Sequence, residues 1–350
     1  MRYNPLCVIT CVIQATLATS LVAAGLDNDA DFKITASDGG SQDEFGTSVA
    51  VSGDVAIVGA PNEDTNGSNA GAAYIYRFNG SSWVQEDKLL ADDGDASDKF
   101  GISVTIDGDI AMVGATGDDD NGSAAGAVYV FSYDGSGWNQ ISKLKASDGT
   151  SNDEFGISVS VSGTFAIIGA SLDDDLGTNS GSAYAFRQSG TVWVQQSKIT
   201  PKDGDADDRF GMAVALHDGV AVIGSRWHDG NGLNSGAAYV YANNGSNWVE
   251  EAKLEASDGD VSDQFGWSVA IDGDRILVGS PYDDDKGNAS GSAYIYTYSG
   301  TWGEEHKLVP IDGGSTDNFG SAVGIGGDMA VVGSPGSDEP INSGKVYVFI

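Results

Sequence analysis

The sequence has 350 residues, and its 51 acidic against 17 basic side chains give a formal net charge of −34. A surface this acidic repels nucleic acid and anionic lipid, so neither is expected as a partner, and it suits cations, basic protein patches or a salty medium. Fifty glycines, and short apolar runs separated by Asn, Asp and Ser without any long helical spacing, predict an all-β chain.

The first 24 residues differ from the rest of the chain. Arg2 precedes a mainly apolar run over residues 6–22, and small residues at positions 22 and 24 suit a cleavage site before Gly25. This pattern predicts a secretory signal peptide over 1–24 and a mature domain over 25–350. The mature protein would be secreted or displayed on the cell surface, with no membrane insertion once the signal is removed.

Two other interpretations of this segment are disfavoured. An uncleaved membrane anchor would need a longer apolar run without polar interruptions. Lipidation at Cys11 would need a better lipoprotein signal than residues 8–10 provide. Both cysteines, Cys7 and Cys11, lie in this segment, so cleavage would leave a mature protein without disulfides.

A two-part phrase, F-G-x-x-V followed by an apolar run ending in G-A or G-S, returns along the mature chain. Its Phe-Gly pair begins at Phe45, Phe100, Phe155, Phe210, Phe265 and Phe319. The step is 55 residues four times and 54 residues once. A period of this size indicates a repeat array in which each unit is one supersecondary element.

One unit contains four candidate strands. In the second unit they cover residues 100–106, 110–115, 128–131 and 138–144, with a tight turn at 107–109 and a long polar loop at 116–125. The second strand is almost wholly apolar, as expected of a strand covered on both faces. Antiparallel four-stranded units repeated in this way predict the blades of a β-propeller, six of them here.

A Trp and a Tyr side chain recur at fixed positions in almost every unit. We expect these aromatic rings to fill the wedge between neighbouring blades. Carbohydrate stacking is the alternative, but presence in every blade favours a structural role. The fourth strand opens with Trp83, Trp138, Trp193, Trp248 and Trp302, and the third strand carries Tyr74, Tyr129, Tyr184, Tyr239, Tyr294 and Tyr347.

The two ends of the repeat array suggest how the ring closes. The sixth unit stops at residues 346–350, its third strand. Residues 32–36 resemble the ends of fourth strands such as 143–146. We therefore predict that this N-terminal strand completes the last blade and protects its exposed edge.

The F-G opening and the phrase Val58-Gly59-Ala60-Pro61 resemble the FG-GAP repeat family, known from the integrin α-subunit propeller and many secreted or surface proteins. The resemblance covers residues 32–350 and implies a propeller of the kind that serves as an adhesion module, although propellers also host enzymes. Integrin-type repeats often carry a calcium loop between the first and second strands. Here that connection is a tight turn such as 107–109, too short to supply six or more oxygen ligands.

The loop from strand two to strand three and the link between blades should emerge on one face, and both are acidic. The links carry two aspartates five residues apart, such as Asp148 and Asp153. Three interpretations remain open for these acidic residues: Asx turns that cap backbone N–H groups, cation binding with calcium as the candidate, and contact with a basic partner. The candidate calcium ligands are Asp118, Asp119, Asp120, Asp173, Asp174, Asp175, Asp283, Asp284 and Asp285.

The fourth unit departs from this pattern. In place of an acidic triplet it has Arg226, Trp227, His228 and Asp229, which we take as the candidate ligand-binding residues because a Trp beside polar side chains can stack on a sugar or anchor a protein contact. A loop that merely drifted is the alternative. Trp267 and Tyr282 are further aromatics confined to one unit, which we interpret as packing residues.

Catalysis finds little support in the sequence. The mature part has no cysteine and three dispersed histidines, and no G-x-S-x-G, HExxH or P-loop pattern is present. The leading hypothesis is a non-catalytic binding or adhesion propeller that recognises an extracellular protein or carbohydrate through its acidic loop face. The alternatives are a glycan hydrolase or lyase with a carboxylate pair near the central channel, and a purely structural role in a surface layer.

Overall fold

The structure is a computed structural model that describes residues 32–337 and 344–350 and the backbone of residues 10–13. All regular elements in these residues are β-strands, numbered β1 to β24 in chain order. No helix in the described part is long and apolar enough to cross a membrane. The prediction of an all-β six-bladed propeller is confirmed.

The strand bounds follow the repeat. Blades one to three comprise Ser48–Ser52, Val55–Ala60, Ala72–Phe78 and Trp83–Leu89 (β2–β5); Ser103–Asp107, Ile110–Ala115, Ala127–Tyr133 and Trp138–Leu144 (β6–β9); and Ser158–Ser162, Phe165–Ala170, Ser182–Ser189 and Val192–Ile199 (β10–β13). Blades four to six comprise Ala213–His217, Val220–Ser225, Ala237–Asn243 and Trp248–Leu254 (β14–β17); Ser268–Asp272, Arg275–Ser280, Ser292–Tyr298 and Trp302–Leu308 (β18–β21); and Ala322–Gly326, Met329–Ser334 and Lys345–Phe349 (β22–β24). A short strand, Thr10–Ile13 (β1), precedes them.

Each blade is an antiparallel meander in which strands pair in chain order. In blade three, Val159 of the first strand lies opposite Ile168 of the second, and Ile168 lies opposite Tyr184 of the third. A bulge between Ala185 and Phe186 shifts the register to the fourth strand, and the equivalent bulge recurs in the other four-stranded blades. The first strands of consecutive blades lie beside one another, from β2 beside β6 to β18 beside β22, so they form the inner ring.

The core lies between blades. Phe155 packs edge-to-face on Tyr184 of its own blade, with ring centroids 5.3 Å apart. Both belong to a buried cluster with Met112 and Val130 of the preceding blade. Trp138 and Trp193 are buried in two such clusters, as the wedge-filling prediction requires.

The glycine of the G-A phrase permits close packing of blades. The Ser158 hydroxyl donates to the Gly211 carbonyl oxygen of the next blade at 2.7 Å. A Cβ on Gly169 would lie 2.9 Å from the Gly211 carbonyl carbon and closer still to its oxygen. A side chain at this position would therefore push the two blades apart.

The predicted closure by residues 32–36 is wrong for the described residues. The last sheet has three strands, β22-β23-β24, and residues 32–36 form no strand. In blade three the link carboxylate of Asp148 accepts from a fourth-strand lysine, Lys198. In the last blade Lys345 of the third strand takes that role, with its Nζ 2.7 Å from Asp312.

The N-terminal segment nevertheless docks on blade one as a link does. The Tyr76 hydroxyl donates to the Thr35 carbonyl oxygen at 3.0 Å, as Tyr241 does to Thr200 at 3.3 Å. Phe32 packs edge-to-face on Phe78. The segment thus makes the contacts with the following blade, whereas no strand pairing joins it to β24 in the described chain.

The gap between the last and first blades is bridged by β1. This strand pairs in parallel with β2, from Thr10 opposite Ser48 to Ile13 opposite Val51, and also lies beside β22. It falls inside the predicted signal peptide, whose other residues lie outside the described part of the chain. The signal peptide stays a prediction.

Candidate binding surface

The second-to-third-strand loops and the links lie on one face, as the sequence predicts. Backbone hydrogen bonds join each loop to the preceding link: the Gly117 amide donates to the Asp98 carbonyl at 2.9 Å, and the Trp227 amide donates to the Asp208 carbonyl at 3.4 Å. We call this side of the propeller the loop face.

The acidic loops are held by a network of one lysine, one tyrosine and several carboxylates in each blade. In blade three, the Tyr184 hydroxyl lies 3.0 Å from Asp148 and 2.9 Å from Asp173. The Lys198 ammonium lies 2.9 Å from each of these two carboxylates and 2.6 Å from Asp175. Asp173 is 3% exposed, so its charge depends on these partners.

The protonation states of the network follow from these contacts. Burial opposes ionisation of Asp148, but Lys198 and Tyr184 outweigh it and lower the pKa of this carboxyl. Burial and the two carboxylates raise the pKa of Tyr184, which keeps its hydroxyl as a donor. Burial would lower the pKa of Lys198, but its three carboxylates raise it above the usual lysine range.

The same network recurs around the ring. Its members are Asp38, Glu63, Tyr74 and Lys88 in blade one, Asp93, Asp118, Asp120, Tyr129 and Lys143 in blade two, and Asp258, Asp283, Asp285, Tyr294 and Lys307 in blade five. The sequence reasoning missed these lysines, although they recur with nearly the period of the Phe-Gly pairs.

This arrangement bears on the predicted calcium ligands. The first and third aspartates of each triplet face the blade's own lysine. The second, such as Asp174, is exposed and accepts from the Asn179 amide at 2.7 Å. Among the described residues no group of three or more acidic, His or Cys side chains could hold a metal ion. Calcium binding by these loops stays a prediction without geometric support.

The second aspartate of each link caps a turn, in agreement with the Asx interpretation. Asp153 accepts from the Thr150 amide and Asp263 from the Asp260 amide, each at 2.7 Å. Burial raises the pKa of Asp263 to about 6, and the nearby Asp283 adds to this effect.

In blade four, His228 takes the place of the triplet's first aspartate. Its Nδ1 lies 2.9 Å from Asp208 and its Nε2 lies 2.7 Å from the Lys253 ammonium. The lysine can only donate, so Nε2 accepts and Nδ1 carries the proton. His228 is 7% exposed, and Asp229 accepts from the Asn234 amide. These two candidates stabilise their own loop.

Arg226 and Trp227 lie in a different environment. The Arg226 guanidinium carbon is 5.0 Å from the Trp227 ring centroid and 4.4 Å from that of Trp267. Arg209 approaches the same Trp227 ring at 4.8 Å, and the Trp227 indole N–H donates to the Gln264 side chain at 3.2 Å. We call Arg209, Arg226, Trp227, Gln264 and Trp267 the arginine–tryptophan cluster.

The cluster lies where the inner strands begin on the loop face. Arg209 and Gln264 directly precede the Phe-Gly pairs of blades four and five, Trp267 directly precedes β18, and Arg226 follows β15. It is therefore close to the axis of the ring. Tyr282 supports it from outside, edge-to-face on Trp267 at 5.6 Å, which agrees with the packing interpretation of these two aromatics.

The two arginines of the cluster form no ion pair in the described part of the chain. Within the described residues neither guanidinium has a carboxylate within 4.0 Å, and the Nε of each is buried without a hydrogen-bond partner. Burial, with a contribution from Arg209, lowers the pKa of Arg226 to about 10. Burial also lowers the pKa of Arg209, although Glu154 opposes this. The aromatic rings are the main stabilising contacts of these charges.

Comparison with known proteins agrees with this architecture. A family profile described as "FG-GAP repeat" matches residues 30–76, 83–131, 138–186, 193–241, 248–296 and 302–349. Among solved structures, a chain of the "Crystal Structure of Mitotic Checkpoint Complex" is similar with a TM-score of 0.52 and 12% identity, over 82% of this chain and 70% of that chain. That likeness concerns the fold alone. No curated protein matches the chain.

Proposed function

The chain belongs to the FG-GAP repeat family, and from this premise we propose that it is a non-catalytic binding propeller of the cell exterior. Its ligand would be an extracellular protein or glycan, bound at the loop face, with Arg226 and Trp227 as the principal contacts. Secretion, and an adhesive role, belong to the same proposal and are supported by the N-terminal pattern and the family's known occurrence in surface proteins.

One observation carries this proposal: the cluster breaks the repeat with large side chains that the fold does not need. The positions of Arg226 and Trp227 hold Ser171 and Leu172 in blade three. The other blades hold Pro61-Asn62, Thr116-Gly117, Pro281-Tyr282 and Pro335-Gly336. The other blades fold without this Arg-Trp pair. Because the pair also lies near the ring axis and is partly exposed, it is a candidate for ligand recognition.

The test is an array of glycans and extracellular proteins, probed with and without calcium. Arg226→Ser and Trp227→Leu give blade four the residues that blade three carries, so both variants should fold and melt close to the wild type. We expect both variants to lose binding to the array ligands that the wild type binds. Leu172→Ala in blade three is the matched control and should bind normally. Unchanged binding by the two blade-four variants would contradict the proposal.

The hydrolase or lyase alternative has weaker support. It needs carboxylates available for proton transfer or attack. In the described part of the loop face, the network aspartates are engaged by lysine and tyrosine, and capping aspartates such as Asp153 and Asp263 by backbone amides. Turnover of a polysaccharide that is lost on replacing these aspartates would favour an enzyme instead.

A further inference from the structure

We propose that the arginine–tryptophan cluster binds a single carboxylate group of the ligand. This inference rests on the proposed binding function and specifies its chemistry. It concerns Arg209 and Arg226 as the charged contacts, with the Gln264 amide beside them.

The two arginines differ from most of the other cations in how they are paired. The formal charge of the chain is −34, and many of its positive side chains lie in contact with carboxylates. Lys143, Lys198 and Lys307 each contact three carboxylates, and Arg77 is paired with Glu86. Arg209 and Arg226 instead share the Trp227 ring, and in the described chain no carboxylate pairs with either. Two like charges held together without a carboxylate in direct contact favour the binding of an added anion.

The donor ends of both guanidinium groups are accessible to a ligand. The Nε atoms are buried, whereas the terminal Nη nitrogens are not among the buried unpartnered atoms and make no hydrogen bond to the described protein. These ends are therefore not fully enclosed by the described protein. The planar guanidinium offers parallel N–H donors that match the two oxygens of a carboxylate. Stacking on Trp227 and Trp267 fixes the orientation of the donors before binding.

Acidic side chains around the cluster favour a small anion. Glu154 lies near Arg209, and Asp207 also acts on its charge. The rest of the loop face carries the acidic links and triplets. These acidic groups would repel a polyanion. A single carboxylate on an otherwise neutral scaffold would place its one negative charge beside the two arginines. An acidic sugar at the end of a neutral glycan and an acidic side chain of a protein share this chemistry.

The position is also specific to one blade. The residue before Phe-Gly is Glu44, Lys99, Glu154, Arg209, Gln264 or Asn318 around the ring, and the residue after the second strand is cationic only at Arg226. Lys99 of blade two is engaged by the Asn62 side chain. Only blade four places two cations together, so the propeller would carry one such site.

The experiment titrates the full chain with sodium glucuronate, with N-acetylglutamate N-methylamide, and with glucose as the neutral control, and follows tryptophan fluorescence and heat of binding. We expect saturable binding of at least one acidic probe and none of glucose. The acidic probe that binds more tightly identifies the source of the carboxylate. Arg226→Ser should weaken binding about tenfold or more, as loss of a charge-assisted hydrogen bond predicts. Arg187→Ser, at an exposed arginine of β12, should leave it unchanged.

Two results would overturn the inference: no binding of either acidic probe up to about 10 mM, above the millimolar Kd of a single charged contact, or equal binding by Arg226→Ser. The array separates this failure from that of the proposed function. If binding of the array ligands requires Arg226 and Trp227 but neither acidic probe competes with them, the proposed binding function is supported and the carboxylate inference is contradicted. Should the acidic probes bind while no array ligand depends on these residues, the proposed function falls and the carboxylate site stands.

Discussion

Replacing the second-strand glycine by alanine should destabilise the third blade strongly and the last blade little. In Gly169→Ala the new Cβ would lie 2.9 Å from the Gly211 carbonyl carbon and nearer to its oxygen, inside the 3.0 Å that real Cβ contacts keep. In Gly333→Ala the nearest atom is the Ala322 Cβ at 3.5 Å, an ordinary van der Waals contact. The difference arises because, among the described strands, β1 and not a first strand of the next blade lies beside β22 on this side.

The magnitude follows from what must move. The Gly211 carbonyl is held by the Ser158 hydroxyl at 2.7 Å, so the clash can be relieved only by separating two blades whose shared core is closely packed. Such overpacking costs about 3 kcal/mol or more. Gly333→Ala meets no clash and should change the free energy of unfolding by less than about 1 kcal/mol.

Urea unfolding followed by tryptophan fluorescence measures both values, and the pair of variants controls for the intrinsic glycine-to-alanine effect. If Gly333→Ala proved as destabilising as Gly169→Ala, blade one would have to lie against blade six as other blades lie against their neighbours. That result would refute the bridging position of β1. A mild effect of Gly169→Ala would refute the packing reasoning itself.

Three further predictions concern the loop face. Lys198→Met should cost about 3 kcal/mol in urea unfolding at pH 7, because it leaves the buried Asp173 unpaired while the half-exposed Asp148 and Asp175 contribute little. The smaller part of this advantage, which comes from Asp148, should be lost as pH falls below 3.8, the ordinary pKa of Asp148, because a carboxyl with a lowered pKa stabilises the fold only while ionised. Equal acid sensitivity of both proteins would contradict this. Asp263 has its pKa raised to about 6, so its contribution is present below its ordinary pKa of 3.8 and lost as pH rises through about 6. Asp263→Asn should therefore gain up to about 3 kcal/mol relative to the wild type between pH 4 and pH 7, and a constant difference over that range would refute the shift. For calcium, the network geometry predicts that EDTA leaves the melting temperature of calcium-treated protein unchanged; a large drop would restore the triplets as ligands.

The blades could be predicted from the sequence because their causes are local. Alternating apolar residues, tight turns and a 55-residue period are visible without knowing which blade touches which. Ring closure was not predictable in this way. Residues 32–36 resemble a fourth strand because they dock on blade one as fourth-strand ends do, through Thr35 and Tyr76. The resemblance does not reveal whether the same residues also pair with β24 of the last blade.

The candidate site was predicted in part. Arg226 and Trp227 stand out because they interrupt a repeat, whereas the role of His228 depends on Lys253, 25 residues away, which sequence spacing does not reveal. Arg209 and Gln264 come to the cluster from two different links. Their signal in the sequence is the variability of the residue before the otherwise constant Phe-Gly pair.

We propose that ligands bind at the axial end of the loop face, in blades four and five. Backbone hydrogen exchange of the full chain, with and without a ligand recovered from the array, measures this directly. We expect protection to concentrate in residues 226–227 and 264–267. Protection confined to the outer strands, or to the turns on the opposite face such as 107–110, would contradict it.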